Sequence, residues 1–190
     1  PPRNCSFSRV SDNQQKLAWQ GDYTGMDGAK PWSGVYVDRR TDDGNWVNIA
    51  DLSWDVINYT DNSTSANHKY EYRLCAHGPG GNSNHVSCGT TYTTPAAPSK
   101  VEAVKTGNSF VRLVIHDAAG YAQGHDAQRS TDGGKSWAAF SGTHGTSGGR
   151  AVIDDATAPA GSVVYRVRAY RTSPNGLNSG WKSSNSVMTV

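Results

Sequence analysis

Two segments of this chain, residues 70–77 and 163–170, alternate inward and outward side chains with a period of two. Successive side chains of an extended strand point to opposite faces, so this pattern predicts strands with one buried face. The residues predicted to be buried are Tyr70, Tyr72, Leu74 and Ala76 in the first strand and Val163, Tyr165, Val167 and Ala169 in the second. A chain built from such strands packs its apolar side chains between sheets.

Helical patterns are scarce in the sequence. No window of about 11 residues places apolar side chains at the i, i+3, i+4 and i+7 positions of an amphipathic helix. Gly, Asn, Asp, Ser and Thr interrupt the chain about every 8–12 residues, a spacing typical of all-β sandwiches. The sequence therefore predicts an all-β fold.

The two alternating segments belong to an internal repeat. Residues 59–76 align without a gap on residues 152–169, at an offset of 93. A sandwich domain contains about 100 residues, so each copy is long enough to be one domain. Between the copies, Pro95 and Pro98 indicate a short, stiff linker. We therefore predict two tandem domains, residues 1–95 and 96–190.

Composition excludes several classes of protein. Hydrophobic residues make up 35% of the chain, enough to form a core rather than a disordered segment. The 18 basic and 16 acidic residues give a net charge of +2 without a basic stripe, so no nucleic-acid partner is expected. No apolar run approaches the roughly 18 residues of a membrane span, so no membrane partner is expected.

Specific residues in both copies resemble the pattern of a known family. Residues 17–19 read Leu-Ala-Trp, and residues 70–76 form an aromatic–x–aromatic–Arg–aliphatic–x–Ala strand followed by Gly78, Gly81 and Ser83. In these positions the chain resembles a pair of fibronectin type III domains. The second copy keeps the pattern at residues 165–169 and departs from it at Val163, where a tyrosine is typical.

This resemblance implies a fold and a broad class of function. It implies two tandem, seven-stranded, Greek-key, immunoglobulin-like β-sandwiches. It implies no chemistry, because modules of this kind act mostly as spacers or binding surfaces. We accordingly expect no catalytic residues, no cofactor and no metal.

The three cysteines leave several pairings open. Cys75 and Cys88 flank a turn at residues 78–83, so they are candidates for a cross-strand disulfide. Free thiols are the alternative, and zinc binding with His77 and His85 is a further one that would require a β-bulge. We interpret Cys5 as an unpaired residue of a strand.

Residues 130–137 match the S-x-D-x-G-x-x-W pattern of the Asp-box found in sialidase-like propellers. One such box cannot build a propeller, which needs repeated blades of about 40–50 residues. We therefore interpret it as a structural hairpin in which Asp132 accepts backbone hydrogen bonds and Trp137 packs beneath the turn.

In this fold, three loops gather at one end of each sandwich. In the first domain these loops are expected to carry a candidate ligand-binding patch of Tyr23, Trp32, Trp54, His77 and His85. Rigid aromatic rings among small polar residues suit sugar stacking or protein recognition. The alternative is that Trp32 and Trp54 pack against the core from the loops.

These observations predict a non-catalytic tandem module of a larger extracellular or virion assembly, such as a bacterial surface protein or a phage tail. It would act as a spacer, as an adhesion surface, or as both. Its expected partners are other domains or subunits of that assembly, with a surface glycan or protein receptor as a further partner. The alternative is a carbohydrate-binding appendage of a glycan-active enzyme.

Overall fold

The computed structural model describes residues 2–21 and 32–190, and every regular element in these ranges is a β-strand. The chain divides into two compact units, domain 1 (Pro1–Thr93) and domain 2 (Thr94–Val190). The division lies just before Pro95, two residues earlier than the boundary expected from the repeat.

Domain 1 is a sandwich of two antiparallel sheets. One sheet has the strand order β1-β2-β5, and the other has the order β4-β3-β6-β7, with β8 also pairing with β6. The strands are β1 (Arg3–Ser11), β2 (Gln14–Gln20), β3 (Gly34–Thr41), β4 (Val47–Ser53), β5 (Asn58–Asp61), β6 (Lys69–Gly78), β7 (Gly81–Asn82) and β8 (Val86–Tyr92).

Domain 2 is a second sandwich. Its sheets have the orders β13-β14-β10-β9 and β12-β11-β15-β16, with β17 and β18 also pairing with β15. The strands are β9 (Lys100–Lys105), β10 (Val111–His116), β11 (Gly124–Ser130), β12 (Ala138–Ala139), β13 (Thr143–Ser147), β14 (Arg150–Asp155), β15 (Gly161–Arg171), β16 (Leu177–Asn178), β17 (Lys182–Ser183) and β18 (Val187–Thr189).

Domain 2 also has an edge strand that the repeat did not predict. β13 and β14 form a hairpin whose turn contains Gly148 and Gly149, with φ angles of 56° and 75°. Two consecutive positive φ values suit a two-residue turn that matches the twist of the flanking strands, and glycine adopts them without steric strain.

The predicted alternation is confirmed in both domains. Tyr70, Tyr72, Leu74 and Ala76 are at most 3% exposed, and Val163, Tyr165, Val167 and Ala169 are 0% exposed. Cys75 departs from the pattern, since it is 2% exposed although it belongs to the outward-facing set. Its sulfur lies 3.1 Å from the carbonyl oxygen of Ser83, in the segment between β7 and β8.

A buried aspartate lies at the end of β5 in domain 1. Asp61 is 1% exposed, and its carboxylate accepts hydrogen bonds from the Tyr72 hydroxyl at 2.9 Å and from the Arg39 guanidinium at 2.8 Å. It also accepts bonds from the backbone N–H and the hydroxyl of Ser63. Burial by itself raises the pKa of Asp61, but the donors from Ser63, Arg39 and Tyr72 outweigh it, so the pKa is lowered.

Domain 2 repeats this arrangement with different residues. Asp155 is 0% exposed and accepts hydrogen bonds from the Tyr165 hydroxyl at 3.0 Å and from Arg129 at 2.8 Å. The backbone N–H and hydroxyl of Thr157 complete the set. In both domains the burial of the tyrosine raises its pKa, so the phenol stays protonated and keeps donating its hydrogen bond.

The gapless alignment of residues 59–76 on residues 152–169 is therefore wrong by one residue at its start. It pairs Asp61 with Asp154, whereas Asp155 has the buried role. Asp154 lies on the opposite face of β14, where it accepts two hydrogen bonds of 2.7 Å from Arg112. A shift of one residue in a strand exchanges its two faces, and composition alone does not distinguish two adjacent aspartates.

The candidate disulfide between Cys75 and Cys88 is also wrong, as is the interpretation of Cys5 as unpaired. Cys88 is bonded to Cys5, with a Cα–Cα distance of 4.6 Å, and Cys75 is a free, buried thiol. Cys75 points to the outward side of its sheet, whereas Cys88 points inward toward β1 of the opposite sheet. Cys5 is thus paired, and the bond links the first and last strands of domain 1.

We predict that the loss of either tyrosine hydroxyl destabilises its own domain. Tyr72→Phe leaves a buried aspartate short of one donor, which costs about 1–3 kcal/mol of unfolding free energy in domain 1. Tyr165→Phe is expected to cost a similar amount in domain 2 and to leave domain 1 unchanged. Urea unfolding followed by hydrogen exchange in each domain measures both. Equal loss in the two domains from one variant would contradict the assignment.

The lowered pKa of Asp61 predicts acid sensitivity in domain 1. A carboxyl group with a depressed folded pKa contributes stability above its unfolded pKa of about 3.9, and this contribution is lost as the pH falls through the folded value. The unfolding free energy of domain 1 should therefore fall below about pH 4. In Asp61→Asn the stability is lower at neutral pH and its slope with pH in this range is shallower. An unchanged slope would argue against the prediction.

The disulfide predicts a defined alkylation pattern. In denaturant without reductant, iodoacetamide should modify Cys75 alone, and peptide mapping should recover residues 5 and 88 joined. In the native chain Cys75 should react slowly, because it is buried. Reduction should lower the stability of domain 1 by about 4–5 kcal/mol according to the chain-entropy model of a long loop. Cys75→Ser is the control and should keep the disulfide.

Candidate functional site

Four of the five residues of the predicted ligand patch lie in the described part of the chain. Tyr23 lies outside the described residues. Trp32 and Trp54 are both half-buried, and Trp54 makes contacts of its own. Their side chains are thus neither fully exposed platforms nor fully buried core residues.

His77 is held in a fixed position on the outward face of domain 1. Its ring stacks on Tyr36 with a centroid separation of 4.0 Å and an angle of 14° between the ring planes. Its Nε2 atom lies 2.7 Å from Oδ1 of Asp51, on β4. A Cβ atom at Gly34 would lie 2.5 Å from the same nitrogen, so the glycine gives the histidine its space.

His85 lies at a different position on this face. Its Nε2 atom is 3.5 Å from Asp38, which also accepts a 3.0 Å hydrogen bond from Arg73. Tyr36, the partner of His77, pairs across the sheet with Cys75, whereas Asp38 pairs with Arg73. The two histidines therefore contact successive outward positions of β3 and do not share partners.

Charged side chains on this face pair with one another around Trp46. The guanidinium groups of Arg40 and Arg73 lie 5.1 and 4.4 Å from the Trp46 ring centroid. Arg40 also makes hydrogen bonds of 2.6 and 3.0 Å to both carboxylate oxygens of Glu71. These donors lower the pKa of Glu71, so it stays ionised and paired.

Domain 2 has a corresponding stack on its larger sheet. Arg166 lies 4.5 Å from the ring centroids of both Trp137 and Trp181, and Arg168 lies 4.7 Å from Trp181. Arg168 is paired with Asp126 at 2.8 Å, while Arg166 donates to the amide oxygen of Gln128. Cation–π contacts of this kind hold the indole rings against the sheet.

The Asp-box of domain 2 forms the turn between β11 and β12. Asp132 Oδ1 accepts hydrogen bonds of 2.9 Å from the backbone N–H groups of Lys135 and Ser136 and one from the Ser130 hydroxyl. The hydrogen bonds from Ser130 and Ser136 lower the pKa of Asp132 strongly. The carboxylate is thus occupied within its own turn, as expected for a structural hairpin.

An open pocket of about 280 Å³ lies in domain 2, at the edge of β11 beyond the short strand β12. Its lining includes His125, Asp126, His144, Phe140, Arg168 and Trp181. His125 is 9% exposed and lies 3.1 Å from Asp117, and Asp126 is engaged by Arg168. Asp126 and Arg168 are thus committed to each other, whereas the side chain of His144 is exposed.

Sequence reasoning did not find this pocket or the tryptophan–arginine stacks. The signal for the stacks was present, since Arg166 and Arg168 occupy the outward positions of an alternating strand and Trp137 and Trp181 follow turns on either side. The pocket had no such signal, because His125 and His144 are separated by 19 positions in the sequence and meet only through the sheet arrangement.

Within residues 2–21 and 32–190, no group of three or more His, Cys, Asp or Glu side chains is placed to hold a metal ion. Cys88 forms a disulfide with Cys5, whereas Cys75 is a free, buried thiol, so the two cysteines do not form a shared site. In the same ranges there is no helix of the length and apolar character that crossing a membrane requires.

No protein-family model and no curated protein sequence matches this chain. Among solved structures, a two-domain fibronectin type III segment of chicken tenascin aligns over 99% of both chains, at 10% identity and a TM-score of 0.48. The FN1–FN3 domains of chicken CNTN1 align over 100% of this chain and 66% of that chain, at 18% identity and a TM-score of 0.51. The alignment with the CNTN1 domains shows that the chain has the fold of fibronectin type III domains arranged in tandem.

Proposed function

We propose that this chain is a non-catalytic tandem module of a larger extracellular or virion assembly, in which it acts as a spacer and an adhesion surface. Its partners would be the other domains or subunits of that assembly and, at its outward faces, a surface receptor. The fold supports this proposal, since sandwiches of this kind are reused in many proteins without chemistry of their own.

The observation that carries the proposal is the mutual pairing of polar groups on the outward faces. Arg40, Arg73 and Arg168 each have a carboxylate partner within the same domain. The carboxylate of Asp132 is filled by its own turn. Catalysis needs an acid, base or nucleophile that is free to meet a substrate, and these groups are engaged in holding the sheets instead.

The disulfide between Cys5 and Cys88 supports an extracellular or virion setting. Structural disulfides form and persist in oxidising compartments and are rare in reducing ones. The pairing of Arg40, Arg73 and Arg168 with carboxylates also reduces non-specific attraction to charged partners, which suits a module displayed outside a cell.

A carbohydrate-binding role is the second candidate function, and the pocket in domain 2 is the observation that favours it. An indole ring, Trp181, lines this pocket next to polar side chains, a combination that suits a sugar. Against this role, the guanidinium groups of Arg166 and Arg168 already lie over the Trp181 ring. A sugar would have to displace at least one of them in order to stack.

The spacer role predicts that length matters more than surface. In the full-length protein, this segment would be replaced by two unrelated sandwich domains of equal length, or deleted. A spacer gives retained assembly and attachment with the replacement and loss with the deletion. Loss with both would support an adhesion surface. No effect of either change would contradict the proposed function.

The adhesion and carbohydrate roles predict binding that depends on particular residues. The isolated chain would be tested on glycan arrays and on host-cell surfaces, together with Trp54→Ala, His77→Ala, His85→Ala and Trp181→Ala. A receptor patch in domain 1 predicts at least about a tenfold loss of affinity in Trp54→Ala and in His77→Ala, because each variant loses roughly one well-made contact. A ligand pocket in domain 2 predicts this loss of affinity in Trp181→Ala alone. Glycan binding at background level throughout would exclude the carbohydrate role.

A further inference from the structure

The two domains differ in how their first and last strands are joined. In domain 1, a covalent bond links Cys5 on β1 to Cys88 on β8, and the two residues are 83 positions apart. These strands belong to opposite sheets, since β1 pairs with β2 and β8 pairs with β6. The bond therefore crosses the sandwich close to the points at which the chain enters and leaves domain 1.

Domain 2 has a non-covalent junction at the corresponding place. The side-chain amide of Asn185, between β17 and β18, donates a 2.9 Å hydrogen bond to the carbonyl oxygen of Ala103 on β9. Its oxygen accepts a second bond of 2.9 Å from the Ala103 N–H. Domain 2 contains no cysteine, so no covalent bond can replace these two hydrogen bonds.

We propose that, under tension along the chain, domain 1 is an inextensible link and domain 2 is the element that yields. Tension applied at the two ends follows the covalent path, which runs from the first residues to Cys5, across the disulfide to Cys88, and on through Tyr92. The 83-position loop between the cysteines lies outside this path. In domain 2 the path runs through every strand from β9 to β18.

The hydrogen bonds of domain 2 are the part of the path that can break. Each contributes about 0.5–1.5 kcal/mol net, whereas the disulfide is a covalent bond that thermal fluctuation does not open. Once Asn185 separates from Ala103, β9 and the last strands lose a contact that joins the two sheets. When the ladders that join β9 to β10 and β18 to β15 also separate, domain 2 extends, while domain 1 keeps its length.

A thiol reductant removes this difference. Two electrons and two protons from a dithiol convert the Cys5–Cys88 disulfide to two thiols, and the dithiol becomes a disulfide itself. The loop then enters the tension path and can extend by about 290 Å, at about 3.5 Å per residue. The extensibility of the whole chain is thus set by the redox state of one bond.

The test is single-molecule force spectroscopy on the full chain with handles fused at both ends, in oxidising buffer and then with dithiothreitol. The oxidised chain should show one unfolding step, with a contour-length gain of about 300 Å from domain 2. The reduced chain should show a second step of about 290 Å. Two full steps in the oxidised chain, or identical traces in both buffers, would overturn the proposal.

Variants separate the contributions of the two junctions. Asn185→Ala should unfold domain 2 about tenfold faster at a given force, as expected for the net loss of one to two hydrogen bonds. Asn178→Ala, an exposed asparagine on β16, is its matched control and should leave that rate unchanged. Cys75→Ser should behave as the parent in both buffers. An Asn185→Ala rate equal to that of the control would overturn the role of this junction.

The role of this link in a spacer rests on the proposed function, whereas the mechanical difference between the domains does not. If the domain-replacement experiment failed, the proposed function would be lost and the force traces would still show one step or two. If the traces failed, the domains could still serve as a spacer, but without a fixed and a yielding part.

Discussion

A buried carboxylate that accepts hydrogen bonds from a tyrosine, an arginine and a following Ser or Thr organises each domain. Asp61 and Asp155 are buried at the ends of β5 and β14, where an ionised group is costly unless it is fully paired. Each joins a strand of the smaller sheet to two central strands of the larger one, through Arg39 and Tyr72 or through Arg129 and Tyr165. Because the donors must converge on one carboxylate, this interaction fixes how the two sheets are aligned.

Alternation and repetition predicted an all-β chain of two domains, and the resemblance to fibronectin type III domains added the sandwich fold. The inward residues of β6 and β15 were identified correctly, because a strand that is buried on one face reveals that face through the alternation of its side chains. The pairing of Cys88 was not predicted, because proximity in sequence favoured Cys75 while the actual partner, Cys5, is brought close only by the packing of two sheets. The choice between Asp154 and Asp155 failed for a similar reason, since it depends on strand register, which a sequence of two adjacent aspartates does not reveal.

The candidate patch, unlike the fold, stays a prediction. Aromatic and histidine side chains were assigned to it by residue type, but their partners decide what they can do. His77 is held by Tyr36 and Asp51, and the indole rings of Trp46 and Trp181 are in contact with arginines. Such contacts join residues from different strands, so they follow from the sheet arrangement and have no signature in a short stretch of sequence.

The bond between Cys5 and Cys88 also determines what a protease can achieve. Exposed loops are the preferred sites of proteolytic nicking. A single cut anywhere between residues 5 and 88 leaves both pieces of domain 1 attached to each other through the disulfide. A single cut in domain 2, which has no cross-link, leaves its two pieces joined by non-covalent contacts alone. After one cut in domain 1, the piece before the cut stays covalently attached to the piece after it. After one cut in domain 2, the piece before the cut can be shed.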